Sequence, residues 1–427
     1  MVRDYQDMRV SQLFHYFWQE MRDGLKALPA WERGFHIFWL LGPFILLIER
    51  SPADAWLSIL AFSFVVRSVV KKEGWWLRFF WVRAGFAFWG VCLVSSILSD
   101  HPTYSLGEAA AWFRFPLFAF ATAFWLARDR RLLYAMLVST ALGLIVMCGI
   151  LTAEILIEGQ KGGRLTWPYG DLVPGNYVAK VGLPVFSIMV ALAVSVRGRI
   201  AAISGVIALV TMVISVMTGE RINFLIRACG GMLAGLVWKP KWRRYLWLVA
   251  VEVLAVVVVF SAMPDMASRY TDQFVKGATQ VEHSSHLQSL NGAWQFGKEF
   301  SAFGIGTGNY RLVSFEALKD VPNTEAQNHP HNYYLQMLVE NGVVGLVVGV
   351  IFLGSIIWIT FKYGLKNRDN VVAATAWVIP FGLFWPIATT GDFFGQWNNI
   401  FMWSAVALSL GFTGSAFEAE EAENRSE

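Results

Sequence analysis

The sequence predicts an all-α integral membrane fold of about twelve transmembrane helices. Three observations carry that prediction: the composition, the spacing of the apolar runs, and the placement of the positive charges. Of 427 residues, 56% are hydrophobic and 15% charged, where an ordinary soluble chain carries roughly 25% charged residues. Twenty Trp and 33 Phe deepen the bias. A soluble core cannot absorb that much apolar surface in a chain of this length, but a bilayer can.

Runs near the ~20 residues that a bilayer requires fall at about 35–48, 53–70, 79–98, 107–127, 132–157, 177–196, 200–218, 222–238, 245–262, 333–361, 371–389 and 397–414. With the N-terminus placed in the cytoplasm, the inside segments hold 22 Lys and Arg and the outside segments hold 9. Five of those nine lie in one long loop, which the positive-inside rule discounts. A missed or extra helix would scramble this alternation.

The expected order follows. Residues 1–34 are a polar, aromatic cytoplasmic segment with no cleavable signal peptide, so the first apolar span should act as an uncleaved anchor. Spans one to nine occupy 35–262, a loop expected on the outer face occupies 263–332, and spans ten to twelve occupy 333–414. Residues 415–427 form a tail with an acidic run from Glu418 to Glu423, read as a solvated end. Cys92, Cys148 and Cys229 sit in apolar runs and read as packing residues. Of the cations within spans, Arg83, Arg114, Lys180 and Arg227 should each face the bundle interior or a water-filled cavity.

The long loop is not low in complexity. Leu287, Leu290 and Trp294 recur at helical spacing, which predicts an amphipathic helix lying over the bundle. It should end before the turn Phe303-Gly304-Ile305-Gly306-Thr307-Gly308-Asn309-Tyr310. Gly-x-Gly-x-Gly alone is a weak signal, and no strand–helix unit follows that would make it a dinucleotide loop.

Two constellations carry chemistry. His329-Pro330-His331-Asn332 stands where the tenth span enters the membrane, and histidine exchanges protons near neutral pH. The bland alternative is an interfacial pair capping a helix. Thr218-Gly219-Glu220-Arg221 stands on the same face, where a cation without an anionic partner is expensive. Arg221 reads as a guanidinium fork for phosphate, or as a snorkelling anchor or a partner of Glu220. Lys180, near Asn176, is placed to add to an anionic site. No Asp-x-Asp pair occurs on the outer face, and His283-Ser-Ser-His286 lacks an accompanying carboxylate or Cys, so no metal is expected. A Walker A pattern is absent, and neither a nucleotide cofactor nor a nucleic-acid partner is expected.

These residues resemble a known family. His331-Asn332, nine residues, then Gly342-x-x-Gly345, opening a span after a long outer loop, is similar to the signature of the bacterial O-antigen ligase/polymerase superfamily. The Gly-x-Gly loop with its aromatic, the Thr-Gly-Glu-Arg221 stretch and Pro174-Gly175-Asn176 resemble further motifs of that family, so the likeness covers roughly residues 170–350. Leu346 departs from the ligase pattern, which favours Gly, Thr or Tyr there. The family's second arginine has Arg269 and Arg311 as candidates, with His283 or His286 as stand-ins.

The resemblance implies a GT-C-like glycosyltransferase that moves a glycan from undecaprenyl pyrophosphate to lipid A–core at the periplasmic face of a bacterial inner membrane. His331 would be the general base. Arg221 would hold the pyrophosphate, with Lys180, Arg269 and Arg311 also placed for it, and no metal or other cofactor would be required. His329, Asn332, Asn176 and Asp392 would support the site, Asp392 as a partner that orients the imidazole. An O-antigen polymerase would share almost every feature and differ in its acceptor. A protein O-oligosaccharyltransferase would be expected to carry a longer outer C-terminal region. A transporter or flippase would be expected to reveal paired, broken helices with midplane charges, and no internal repeat is visible.

Overall fold

The computed structural model describes residues 10–159, 165–168, 173–219, 226–227, 230, 233, 241–268, 270–271, 285–298, 301–386 and 390–414. The described residues form helices and connecting turns, with no strand among them. In chain order the principal helices are α1 (Val10–Ala27), α2 (Ala30–Leu40), α3 (Arg50–Val70), α4 (Phe80–Ile97) and α5 (Pro102–Leu126). Next come α6 (Arg130–Glu158), α7 (Pro174–Ser195), α8 (Arg199–Met217) and α9 (Trp242–Ala262). Beyond the long loop's own helices, α10 (Ser285–Gly297) and α11 (Tyr310–Ala317), lie α12 (Tyr333–Lys366), α13 (Val371–Leu383) and α14 (Gln396–Phe412).

Among the described residues, eight of these helices are long and apolar enough to cross a membrane: α3 to α9 and α12. The chain is a multi-pass membrane protein. The other four of the twelve expected spans take different forms. The first is divided between α2 and a short turn of helix, Gly42–Ile45, because Pro43 cannot donate the next helical hydrogen bond. The eighth, 222–238, lies almost wholly outside the described residues. The eleventh is α13, whose two pieces meet at Ala376–Trp377, and the twelfth is α14, of 17 residues.

Helix α5 is the hub, with 83% of its apolar window buried, whereas α9 at 6% is peripheral. Lipid is as apolar as leucine, so burial alone does not drive helices together in a bilayer; close packing and interhelical hydrogen bonds do. Both are present around α5. Trp112 is buried and its Nε1–H lies 3.1 Å from the Phe393 carbonyl and 3.2 Å from Asn399 Oδ1, which also accepts from Trp403 Nε1 at 3.0 Å. Phe88, Phe352 and Phe393 fill the space between α4, α12 and α5.

The in-span cations separate. Arg114 pairs with Asp54 at 2.9 Å, and Arg227 is fully buried against the Val178 and Thr211 carbonyls. Lys180 is buried, on a π-helical turn, Tyr177–Val181. Arg83 is the correction: it is exposed and donates to the Arg78 carbonyl, because it lies only three residues into α4, within reach of the helix end. Cys92 and Cys148 are buried thiols; Cys229 lies outside the described residues.

Candidate functional site

The glycine-rich turn is a clasp, and it builds the site from beneath. Gly342 adopts φ 71° and ψ −170° and breaks α12 after its second turn. The backbone exposed there pairs with the loop: Val343 N–H donates to Ser301 O at 3.0 Å and Val344 N–H to Ala302 O at 3.1 Å. On the other side of the break Ile305 N–H reaches Val339 O at 3.0 Å, and Gly306 N–H reaches Glu340 O at 2.8 Å. Only glycine fits: a Cβ on Gly342 would lie 2.3 Å from Ala302 O, and one on Gly304 would lie 2.5 Å from Val339 O. Glu340, buried at the centre, accepts from Gly308 N–H at 2.8 Å and Tyr310 N–H at 3.3 Å. The Gly-x-Gly-x-Gly run therefore wraps a carboxylate of its own chain. Of the Gly342/Gly345 pair, Gly342 admits this loop, whereas a Cβ on Gly345 would lie 2.2 Å from Asn341 Cβ of the same helix.

From Glu340 a polar chain runs outward. Gln336 Nε2 lies 3.4 Å from Glu340 and donates to Asp392 Oδ1 at 2.7 Å, while its own Oε1 accepts from Phe393 N–H at 2.8 Å. Asp392 also accepts from Phe394 N–H at 2.9 Å and forms a salt bridge with Arg311, which α11 presents. Asn398, at the start of α14, ties in Lys180: its Oδ1 accepts from the ammonium, and its Nδ2 donates to Tyr333 OH and to Asp392 O, both at 2.9 Å. Above these lies a cavity of about 450 Å³ whose walls include Arg50, Glu108, Asn176, Arg311, Asp392 and Trp397.

The histidines sit beside this network. Helix α12 begins at Tyr333, so His331 precedes it; the cap is Asn332, whose Oδ1 accepts from Tyr334 and Leu335 N–H, both at 3.0 Å. Such a cap stabilises a helix by about 0.5–2 kcal/mol. Asn332 Nδ2 also donates to Pro386 O at 2.7 Å, and Thr390 N–H donates to His331 O at 2.8 Å, so the His segment is bound to the connection between α13 and α14. His331 holds φ 57°, a left-handed conformation that a non-glycine residue takes only under constraint. The two imidazoles lie 4.2 Å apart, centroid to centroid. Burial lowers both pKa values, that of His329 to about 4, against the raising influence of Asp392 on His329 and of Glu325 on His331. Both rings are therefore neutral at pH 7. For Arg311, burial works against the cation, but Asp392, Tyr104 and Glu108 outweigh it and raise its pKa.

Of the residues singled out from sequence, the structure brings Asn176, Arg311 and Asp392 to one cavity, with Lys180 one hydrogen bond away and the histidines alongside. The charge of Asp392 acts on His329, and its hydrogen bonds go to Arg311, Gln336 and Phe394. Arg221, Arg269 and His283 lie outside the described residues, as does the side chain of His286. Sequence reasoning missed Arg50, Glu108 and Gln336, which belong to three different helices and share no motif. Helix α10 forms where expected, but Leu287 and Trp294 are exposed; Ser289 and Ala293 are the buried face, because only small side chains admit α10 against α12.

Residues 205–350 match the family model described as O-antigen ligase. The chain is similar to the bacterial O-antigen ligases. It is also 26% identical over 192 residues to the teichuronic acid biosynthesis protein TuaE of Bacillus subtilis (strain 168), covering 41% of this chain and 37% of that protein. The alignment thus spans little more than a third of that relative's length. The family match includes Arg221, Arg269, Arg311, His329, His331 and Asn332, and the glycine clasp; Asn176, Lys180 and Asp392 lie beyond it. Over part of its length the chain is thus similar both to the O-antigen ligase family and to a protein of teichuronic acid biosynthesis.

Proposed function

We propose that this protein is an inverting, metal-independent glycosyltransferase: an O-antigen ligase that transfers glycan from undecaprenyl pyrophosphate to lipid A–core on the periplasmic side of a bacterial inner membrane. The observation that carries the reading is the half-buried histidine pair with lowered pKa values, inside the O-antigen ligase match and beside a polar cavity. The 22-to-9 charge count supports the orientation, with both termini cytoplasmic and the loop and cavity outside.

An acceptor hydroxyl attacks the anomeric carbon while His331 removes its proton, which requires a neutral imidazole. The new C–O bond forms as the bond to the pyrophosphate oxygen breaks, inverting the anomeric centre and releasing undecaprenyl pyrophosphate. The imidazolium that results is favoured by Glu325. The leaving group already carries negative charge and needs neutralisation more than protonation, which a guanidinium supplies; Arg221 has that role. Arg311, paired with Asp392, lines the cavity, and Lys180 bonds Asn398 of its wall.

The test is transfer by purified protein from lipid-linked glycan to lipid A–core in EDTA, with variants at matched membrane levels. His331→Ala should lose on the order of 10²-fold or more, the scale of a general base, His329→Ala less, and Arg221→Lys should fall strongly despite keeping its charge. Full activity of both histidine variants would sink the mechanism. The similarity to a teichuronic acid biosynthesis protein favours a second reading, polymerase activity with another lipid-linked repeat as acceptor. Glycan chain growth without lipid A–core in the same assay would select it.

A further inference from the structure

We propose that the cavity above Asp392 is a pyranose subsite, which holds one sugar ring of the glycan substrate and not the pyrophosphate. The proposal rests on the glycosyltransferase reading and assigns a part of its site.

The first argument is charge. Among the described residues, the charged groups lining the cavity are Arg50 and Arg311 against Glu108 and Asp392, a formal sum of zero, and Arg311 and Asp392 already form a salt bridge. A pyrophosphate entering here would meet two carboxylates, which the two guanidinium groups of the described wall only balance. A neutral sugar meets no such penalty. Its hydroxyls can donate to Glu108 and accept from Arg50, and charge-assisted hydrogen bonds of that kind are the strong ones.

The second argument is shape and surface. Trp397 and Phe401 line the same cavity as a parallel aromatic pair, centroids 4.8 Å apart and planes 9° apart. An aromatic wall suits the C–H face of a pyranose, while the amides of Asn176 and Gln396 bring donor and acceptor groups to its rim. A volume of about 450 Å³ lies within the range of small-molecule sites. The third argument is rigidity. Asn398 is fixed by Tyr333, Lys180 and the Asp392 carbonyl, and Gly308 packs so close to Glu108 that a Cβ there would lie 2.9 Å from Glu108 Cγ. The wall is pre-formed, so binding does not have to order it.

The sugar can come from either substrate: the first residue of the lipid-linked donor, or the terminal residue of the acceptor. The test measures binding of detergent-solubilised full-length protein to undecaprenyl pyrophosphate bare, or bearing one hexose or one N-acetylhexosamine, and, in a second arm, to lipopolysaccharide lacking O-antigen. For donor occupancy, wild type should bind a sugar-bearing lipid on the order of tenfold tighter than the bare lipid. Trp397→Ala should erase that increment, Trp397→Phe should keep most of it, and Glu108→Gln should reduce it, with binding of the bare lipid unchanged. If instead the donor increment is absent and Trp397→Ala weakens binding of O-antigen-free lipopolysaccharide, the subsite stands and its occupant is the acceptor sugar. Equal weakening of bare and sugar-bearing lipid by Trp397→Ala would overturn the proposal in favour of a pyrophosphate site. So would Trp397→Ala and Glu108→Gln variants that bind every probe as wild type does. Failure of wild type to bind any of the lipids would overturn the glycosyltransferase reading itself, a result distinct from the other two.

Discussion

Two buried carboxylate clusters lie at opposite ends of α3, about 30 Å apart for a helix of 21 residues. Near its C-terminal end Glu32 takes Arg67 Nε at 3.2 Å, Lys71, and Trp125 Nε1 at 3.1 Å, and Arg67 reaches on to Glu73 at 2.6 Å. At its N-terminal end, where Arg50 stands, the chain Glu340–Gln336–Asp392–Arg311 opens on the cavity. The same groups, carboxylate, guanidinium and an amide or indole N–H, are used in both. In the first cluster indole rings of Trp125 and Trp31 lie against Arg67 and Lys71, closing the cluster with protein. In the second the partners hold one another at the edge of a void. A buried ion pair by itself therefore says nothing of function; the space beside it does.

Breaking the closed cluster should have the largest effect. Glu32→Ala leaves the buried Arg67 without one of its carboxylates, a change of the kind that costs about 3–5 kcal/mol. It should lower the thermal midpoint and the membrane level of the protein, while the molecules that remain folded keep the wild-type KM. A changed KM with normal stability would show that the two ends are coupled.

Breaking the clasp under the open cluster should cost less. At Gly342 an alanine must hold φ 71° and clear Ala302 O, and strain at such a position is of order 1–3 kcal/mol. Because the clasp sets Glu340 and through Gln336 sets Asp392, Gly342→Ala should reduce transfer in addition to stability. Stability loss with unchanged turnover would detach the clasp from the site.

The smallest effect is on pH dependence. Burial depresses both histidine pKa values, so the acid limb of kcat/KM should fall below the ordinary imidazole value of about 6.5. The sign for stability follows the same shift. Above about 6.5 neither state of His329 binds a proton. Between there and about 4 the unfolded chain takes one that the folded site refuses, so stability is lost as the pH drops. His329→Gln should flatten the pH dependence of the thermal midpoint in that window, and Glu32→Ala should leave this slope in place.

The comparison also explains what was legible. Composition and the apolar periodicity pointed to a helical membrane protein, since a bilayer imposes a length and a polarity on every segment that crosses it. The His-Asn to Gly-x-x-Gly spacing pointed to the family because it is local, set by one helix entry and one break in that helix. The Leu287–Leu290–Trp294 stripe was misleading as a guide to the buried face: outside a soluble core, an apolar stripe need not turn toward the protein.

By itself, then, the sequence determined the fold class, the family resemblance and the histidine segment, all of them properties of contiguous residues. Only the tertiary structure decided that three positive-φ glycines wrap Glu340, that Gln336 joins it to Asp392, and that Arg50 from α3 and Glu108 from α5 complete a cavity with α14. The physical reason is that a cavity is made by elements failing to touch. Charges on separate helices acquire partners or face a void according to how those helices pack, and no residue's neighbours in the chain record that outcome.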